Sequence, residues 1–329
     1  MSVDRVLVAV ARPRLVILRA LGVGDLLTAV PALRALARAF PEHERVLAAP
    51  AALRPLVALV DDEAGSSAIH RVAPVGELEA LPSALHGPDV AANLHGRGPQ
   101  SHRVLLNARP RTVLWFESAV VPQSQGSPLW RAGEHEVQRW CRMLTESGVD
   151  ADPAALSLRA PDGPGLEGVR GATLLHPGAA SPARRWPPRR FAVVARAEAA
   201  RGHRVVITGA REEVSLAREI AEQAELPPSS VLAGRTDLGE LARAVAAAGR
   251  VVCGDTGVAH LATALGTPSV VLFGPTSPEE WGPPAGRAQH QALWAGRRGD
   301  PHGLRPDPGL LEIEAGDVIR ALDDLAVAA

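Results

Sequence analysis

Val251-Val252-Cys253-Gly254-Asp255-Thr256-Gly257-Val258-Ala259-His260-Leu261-Ala262 is the stretch on which the reading of this chain turns. A short apolar run breaks at Gly-Asp-Thr-Gly and resumes with helical spacing, so a buried strand feeds a helix through a tight turn. The first amides of such a helix have no intrahelical acceptor, and Thr256, Gly257 and Val258 would offer theirs to a phosphate. An alternative stays open at this point: Asp255 or Thr256 as a simple helix cap, with His260 an ordinary helix histidine one turn inside.

The same strand-turn-helix rhythm extends outward in both directions. Toward the C-terminus it continues with a strand at 269–273. Upstream lie a strand at 173–176, a helix at 191–200, a strand at 204–208, a helix at 212–224, a short extended piece at 231–232 and a helix at 238–248. In the first half, strands are expected at 14–19, 45–49, 69–72, 90–94 and 112–116, with helices at 26–40 and 52–60. Alternation of this kind builds parallel sheets from βα units. A Pro/Gly-rich stretch at 150–171 sustains neither pattern and reads as a linker, 282–309 as a long loop, and 313–327 as a closing helix. The expected class is therefore α/β, with two doubly wound, Rossmann-like domains and a ligand cleft between them at the carboxyl ends of the strands. The expected division is 1–160, 161–310 and a C-terminal helix at 311–329 packing back toward the N-terminal domain.

Composition removes whole classes. All 35 basic side chains among the 329 residues are Arg, and there is no Tyr. Without Lys there is no Walker-type phosphate loop and no pyridoxal Schiff base, and no Tyr/Lys dehydrogenase pair can form. A net charge of -1 gives no general field for nucleic acid, and no basic run with interleaved aromatics appears, so polynucleotide partners are not expected. Cys141 and Cys253 are too few for a disulfide framework and lack metal-ligand spacing; they read as small core residues of a reducing compartment. No secretory pattern opens the chain and no apolar stretch reaches the roughly 18 residues of a bilayer span, so a cytoplasmic protein is expected.

Two further turns carry polar chemistry. Leu21-Gly22-Val23-Gly24-Asp25-Leu26-Leu27 follows a strand and opens a helix, yet it is not a dinucleotide fingerprint. Leu27 occupies the third glycine position, and Asp25 would set a carboxylate where a pyrophosphate should meet the helix. Asp25 is either a helix cap or a carboxylate held at the cleft mouth as a general base. His176-Pro177-Gly178-Ala179-Ala180-Ser181 leaves a strand into small residues, followed by Pro182-Ala183-Arg184-Arg185-Trp186-Pro187. Small residues admit a ligand close to backbone, and paired guanidinium groups can grip a diphosphate; a solvated Arg pair beside a packed Trp is the alternative.

Gly24-Asp25-Leu26-Leu27, then His176-Pro177-Gly178, Arg184-Arg185-Trp186-Pro187, residues 207–213 (ITGAREE), residues 254–262 (GDTGVAHLA) and residues 272–276 (LFGPT) come in an order that closely resembles glycosyltransferase family 9, the ADP-heptose:lipopolysaccharide heptosyltransferases and their relatives. The resemblance implies a GT-B fold, a nucleotide-diphosphate sugar, ADP-heptose first, held by the C-terminal domain, and an acceptor held by the N-terminal one. It further implies an inverting displacement without metal or cofactor. Asp25 matches the family's catalytic base, and Asp255, Thr256, Gly257 and His260 its donor-binding block. Arg184 stands where the family has a Lys that stabilises the leaving phosphate, and Glu213 matches an acidic residue on the ribose. Gly178, Arg185, Val258, Gly274 and Thr276 in the same motifs complete the expected donor side.

On the acceptor side the expectation names Gly24, His95, Arg97, Gln100 and Ser101. The segment 93–101 departs from the lipopolysaccharide enzymes, which leaves the acceptor open among a glycan, a lipid-linked molecule and a secondary metabolite. A monomer is expected, with peripheral contact to the inner face of a membrane through Arg12, Arg14, Arg34 and Arg38 as an option. Two competing readings are a sugar-nucleotide epimerase or hydrolase on the same fold, and a nucleotide-binding module without catalysis. Asp25 separates the latter, because a binding module has no use for a carboxylate opposite its phosphate site.

Overall fold

The computed structural model describes residues 12–61 and 65–328. Residues 1–11, read above as lacking a secretory pattern, lie outside the described residues. The first half runs β1 (Arg14–Leu18), α1 (Val23–Thr28), α2 (Val30–Ala39), β2 (Glu44–Ala49), α3 (Arg54–Val57), β3 (Arg71–Pro74), β4 (Val90–Asn93), α4 (Gln100–Asn107), β5 (Thr112–Leu114) and α5 (Glu136–Glu146). The second runs β6 (Thr173–His176), α6 (Pro188–Ala200), β7 (Val205–Ile207), α7 (Val214–Gln223), α8 (Leu238–Ala247), β8 (Arg250–Gly254), α9 (Gly257–Leu265), β9 (Ser269–Phe273), α10 (Pro278–Trp281), β10 (His290–Trp294), α11 (Pro308–Glu312) and α12 (Ala315–Ala328).

Each half is a five-stranded parallel sheet, in the orders β3-β2-β1-β4-β5 and β10-β9-β8-β6-β7. The strands β1, β8 and β9 are apolar runs after their first residues, Arg14, Arg250 and Ser269, because helices cover both faces of a parallel sheet. In the first sheet the strand order reverses between β1 and β4, and in the second between β6 and β8. Ligand crevices open at such switch points. They put the residues after Leu18 and after Gly254 at the two mouths, and these mouths face each other: α1 packs directly on α9. One apolar core, with Leu26 and Leu33 on one side and Val258 and Leu261 on the other, runs through the seam between the domains.

The fold class is the expected one, with differences in detail. The helix expected at 26–40 is two helices that meet at Ala29. Pro31 has no N–H to continue the ladder, so the chain tightens there. The stretch read as a loop at 282–309 holds β10, which pairs with β9 from His290↔Ser269 to Trp294↔Phe273. The closing helix does not pack back toward the N-terminal domain. It lies against α6, β9 and β10, because Val318, Leu322 and Leu325 fill the apolar face beside Phe191 and Val194. Trp186 Nε1 and Arg190 Nη1 fasten its approach by donating to the Ile313 carbonyl at 2.9 and 2.8 Å.

Candidate active site

Asp25 is neither at the cap position of α1 nor free. It is the third helical residue, and its Oδ2 accepts the Gly22 N–H at 3.2 Å. Behind it stands Arg19, the residue after β1, 1% exposed. Arg19 Nε donates to the Asp25 carbonyl at 2.9 Å, and Nη2 lies 3.6 Å from Asp25 Oδ1. The other bonds of this guanidinium go to the Leu94 carbonyl, Thr28 Oγ1 and Glu136 Oε1. The base candidate is thus fixed on both its backbone and its carboxylate.

On the facing domain Thr256 caps α9 through its backbone geometry alone, since its side chain bonds no helix amide. Its Oγ1 is buried without a hydrogen-bond partner, as is Arg184 Nε, while Arg184 Nη1 donates to the Asp255 carbonyl at 3.0 Å. Burial raises the Asp255 carboxyl above the ordinary carboxylate range, opposed by Arg184 and by a hydrogen bond from Thr276. Burial pushes His260 down to about 4, and the neighbouring His135 adds to that effect, so its imidazole is neutral at pH 7. The ring lies against Gly24, where a Cβ would stand 2.9 Å from His260 Cδ2, and edge-on to Trp281 at 5.9 Å between centroids.

These groups line one cavity of about 650 Å³, whose walls include Asp25 and Gly24 from the first domain and Arg184, Asp255, Thr256, Gly257, His260 and Thr276 from the second. A larger cavity, of about 1550 Å³, adjoins it through shared lining at Val23, Ala180, Thr256 and Gly257. Gly178, Arg185, Glu213 and Val258 face this second space. Glu213 reaches it past Gly178, where any Cβ would overlap its carboxylate, and is held by the Ala210 N–H at 2.8 Å. Arg185 donates through Nε to the Ala179 carbonyl at 2.9 Å, which orients the turn after β6. Just behind it His176 bonds Thr208 Oγ1 at 3.0 Å.

Not every expected residue arrives. Gly274 lines neither cavity; it is the point where β9 passes under α11, with a Cβ position 2.9 Å from Leu310 Cβ. Of the acceptor set only Gly24 lines the cleft. His95 Nδ1 accepts the Ala20 N–H, and Ser101 is buried with its Oγ accepting from Asn93 Nδ2 at 3.0 Å, so both serve the strand ends of the first sheet. Arg97 and Gln100 are exposed and line neither space. Of the four arginines expected at a membrane face, three bond the chain itself: Arg14 pairs with Glu44, Arg34 donates to the Asp61 and Ala155 carbonyls, and Arg38 to that of Asp150, while Arg12 is exposed. Both cysteines are free and buried, and burial pushes the Cys141 thiol up to about 12, as expected of inert core residues.

The sequence reading missed Arg19 and Glu136 behind Asp25. It also missed Glu280, Trp281, Arg298 and His302, which roof the smaller cavity, with Arg298 paired to Glu280. The one signal for Arg19 was a charged residue closing the apolar run at 15–18. Among the described residues no three His, Cys, Asp or Glu side chains converge as a metal-ligand set, and no helix is long and apolar enough to cross a membrane.

Two facing α/β domains with an acid on one lip and an anion cradle on the other define the GT-B class. The sequence profile of glycosyltransferase family 9 (heptosyltransferase) matches residues 129–300, and the chain belongs to that family. It is 34% identical over 130 residues to lipooligosaccharide heptosyltransferase 2 of Haemophilus influenzae, covering 37% of this chain and 38% of that one. It is likewise 34% identical over 146 residues to lipopolysaccharide heptosyltransferase 3 of Escherichia coli, covering 43% and 42%. The matched segments thus span about two fifths of these relatives. The fold is shared more widely. A family 9 glycosyl transferase from Veillonella parvula superposes with a TM-score of 0.77 at 21% identity over 96% of this chain and 98% of that one. E. coli ADP-heptose lps heptosyltransferase II does so at 0.74 and 23%, over 96% and 99%.

Proposed function

We propose that the protein is an inverting, metal-independent glycosyltransferase that moves a sugar, a heptose from ADP-heptose, to an acceptor hydroxyl, with Asp25 as general base. The observation that carries this is the shared cavity in which Asp25 from one domain faces Arg184, Thr256 and His260 from the other. Asp25 takes the acceptor proton as the acceptor oxygen bonds to the anomeric carbon, while the bond from that carbon to the diphosphate oxygen breaks on the opposite side. A base and a leaving-group site on opposed walls make the displacement inverting. Charge building on the diphosphate meets the first amides of α9, the Arg184 guanidinium and the Thr256 hydroxyl, whose unpartnered atoms await an acceptor of this kind. The nucleoside occupies the larger cavity, with Glu213 toward the ribose.

In this reading the division at 1–160 and 161–310 is one of labour, acceptor against donor, and the acceptor approaches along the Gly24 wall. The heptosyltransferase names of the sequence relatives support the sugar, and the free thiols fit a cytoplasmic enzyme. The test is thermal unfolding against ADP, GDP, UDP, dTDP, NAD and ADP-heptose without added metal. A ligand that binds only the folded state raises its Tm. Selective stabilisation by ADP and ADP-heptose is expected; a response to NAD alone would sink the reading.

A further inference from the structure

Glu136 is buried, 5% exposed, and opens α5, 117 residues from Arg19 in sequence. A lone carboxylate this deep is costly unless it is fully partnered. Its Oε1 accepts from Arg19 Nη2 at 3.2 Å and from Trp140 Nε1 at 2.8 Å, and Oε2 is paired with Arg139. Trp140 in turn lies under Arg19, with its ring centroid 4.7 Å from the guanidinium carbon. Arg19 Nη2 therefore stands between two carboxylates, donating to Glu136 Oε1 at 3.2 Å and lying 3.6 Å from Asp25 Oδ1, while Trp140 backs the guanidinium plane. The preceding residue works across the cleft: His135 Nε2 donates to the Gly282 carbonyl at 3.0 Å, at the end of α10, whose Trp281 packs on His260.

We propose that Glu136 is a positioning residue: it locks the Arg19 guanidinium and so sets the Asp25 carboxylate, making the first turn of α5 a brace that joins the base to the leaving-group wall. The inference rests on the general-base reading of Asp25. A core fold has little need of such an arrangement, because an apolar trio of the same volume would pack as well. Its product is a second point of fixation for one catalytic group, and displacements of the order of 1 Å at a reacting group cost about 100-fold in rate.

The test compares Glu136→Gln, Glu136→Asp and Asp25→Asn with the wild-type chain, reading kcat per mole of ADP-binding sites, donor KM and ADP affinity. Glu136→Gln keeps an oxygen for Arg19 and Trp140 but removes the charge that holds the guanidinium. The expected result is a kcat lowered at least about tenfold with donor KM and ADP affinity near wild type, since an interaction felt only in the transition state moves kcat alone. Glu136→Asp, which retains the charge, should recover part of that loss. Wild-type kcat in folded Glu136→Gln overturns the inference, as does a change confined to KM. If Glu136→Gln fails to fold, Glu136→Asp decides: a lower kcat at unchanged KM supports the brace, and an unchanged kcat contradicts it. Asp25→Asn keeps the two readings apart. Should it retain transfer, the base assignment fails; should it lose transfer while the Glu136 variants keep it, only the brace fails.

Discussion

Gly24 and Gly257 meet across the seam between the two domains. A Cβ on Gly257 would lie 2.7 Å from Val23 Cβ and 3.3 Å from the Gly24 amide nitrogen. The mouths of the two sheets can approach this closely because Gly24 and Gly257 carry no side chains, which leaves room for Val23 between the helix starts. The same pair puts Asp25 and the α9 amides on opposite walls of one cavity.

Gly257→Ala should therefore act on closure. Overpacking of this kind costs about 1–3 kcal/mol. Urea unfolding should register that loss, and kcat should fall with it because Asp25 is levered away from the donor side. Unchanged stability and rate would show that the seam is not held as described.

Gly178→Ala should mimic the loss of Glu213. The added methyl overlaps the end of a flexible carboxylate, not backbone, so Glu213 swings out and releases the Ala210 N–H. Little stability is lost in the move. ADP affinity, by titration calorimetry, should drop by roughly one hydrogen bond to a charged group, about 1.5–3 kcal/mol, and Glu213→Ala should drop by a similar amount. Full ADP affinity in both variants would remove Glu213 from the nucleoside site.

Arg184 tests whether a guanidinium serves as the leaving-group cation. Arg184→Ala should lower kcat by about 100- to 1000-fold, the range for removing one donor that meets developing charge. Arg184→Lys should fall between, because an ammonium keeps the charge but cannot bond the Asp255 carbonyl and a phosphate through one planar fork. Equal activity in all three would place the stabilising charge elsewhere.

Acid should weaken the fold before its carboxylates titrate. Burial pushes His260 and His290 down to about 4, from an ordinary value near 6.5. In that window the unfolded chain binds protons that the folded one does not, so stability is present above about pH 6.5 and declines as pH falls toward 4. The Tm should slope downward between pH 6.5 and 5, and His290→Gln should flatten part of the slope. A diphosphate beside His260 raises that pKa again. ADP binding at pH 5.5 should accordingly take up protons, visible as buffer-dependent binding heats; a heat independent of buffer would move the phosphates away from His260.

The parts legible in the sequence are those written locally. The runs at 15–18, 251–253 and 270–273 are apolar throughout because both faces of their strands are covered, and the turns holding Asp25, Arg184, Glu213 and residues 255–260 each lie within one strand-to-helix connection. β10 was hidden, since an edge strand with one covered face reads His-Gln-Ala-Leu-Trp inside a Pro/Gly/Arg-rich stretch. α5 was hidden because its buried side carries Glu136 and Arg139 among Val137, Trp140 and Leu144, a polar interruption that only long-range pairing explains. The placement of α12 depends on which apolar face α6 leaves open, and residues 95–101 looked like site residues because they follow a strand, although His95 and Ser101 bond the strand ends of the first sheet and Arg97 and Gln100 are exposed away from both cavities.

The most direct measurement of the central claim is Asp25→Asn, assayed for sugar transfer from ADP-heptose and, on the same preparation, for ADP affinity by calorimetry. Loss of a general base lowers the rate by about 100- to 10,000-fold. The account expects that loss with ADP affinity and Tm near wild type, since the amide still accepts the Gly22 N–H. Retained transfer, or a loss of ADP binding and folding equal to the loss of activity, would contradict it and leave Asp25 a structural residue of the first helix.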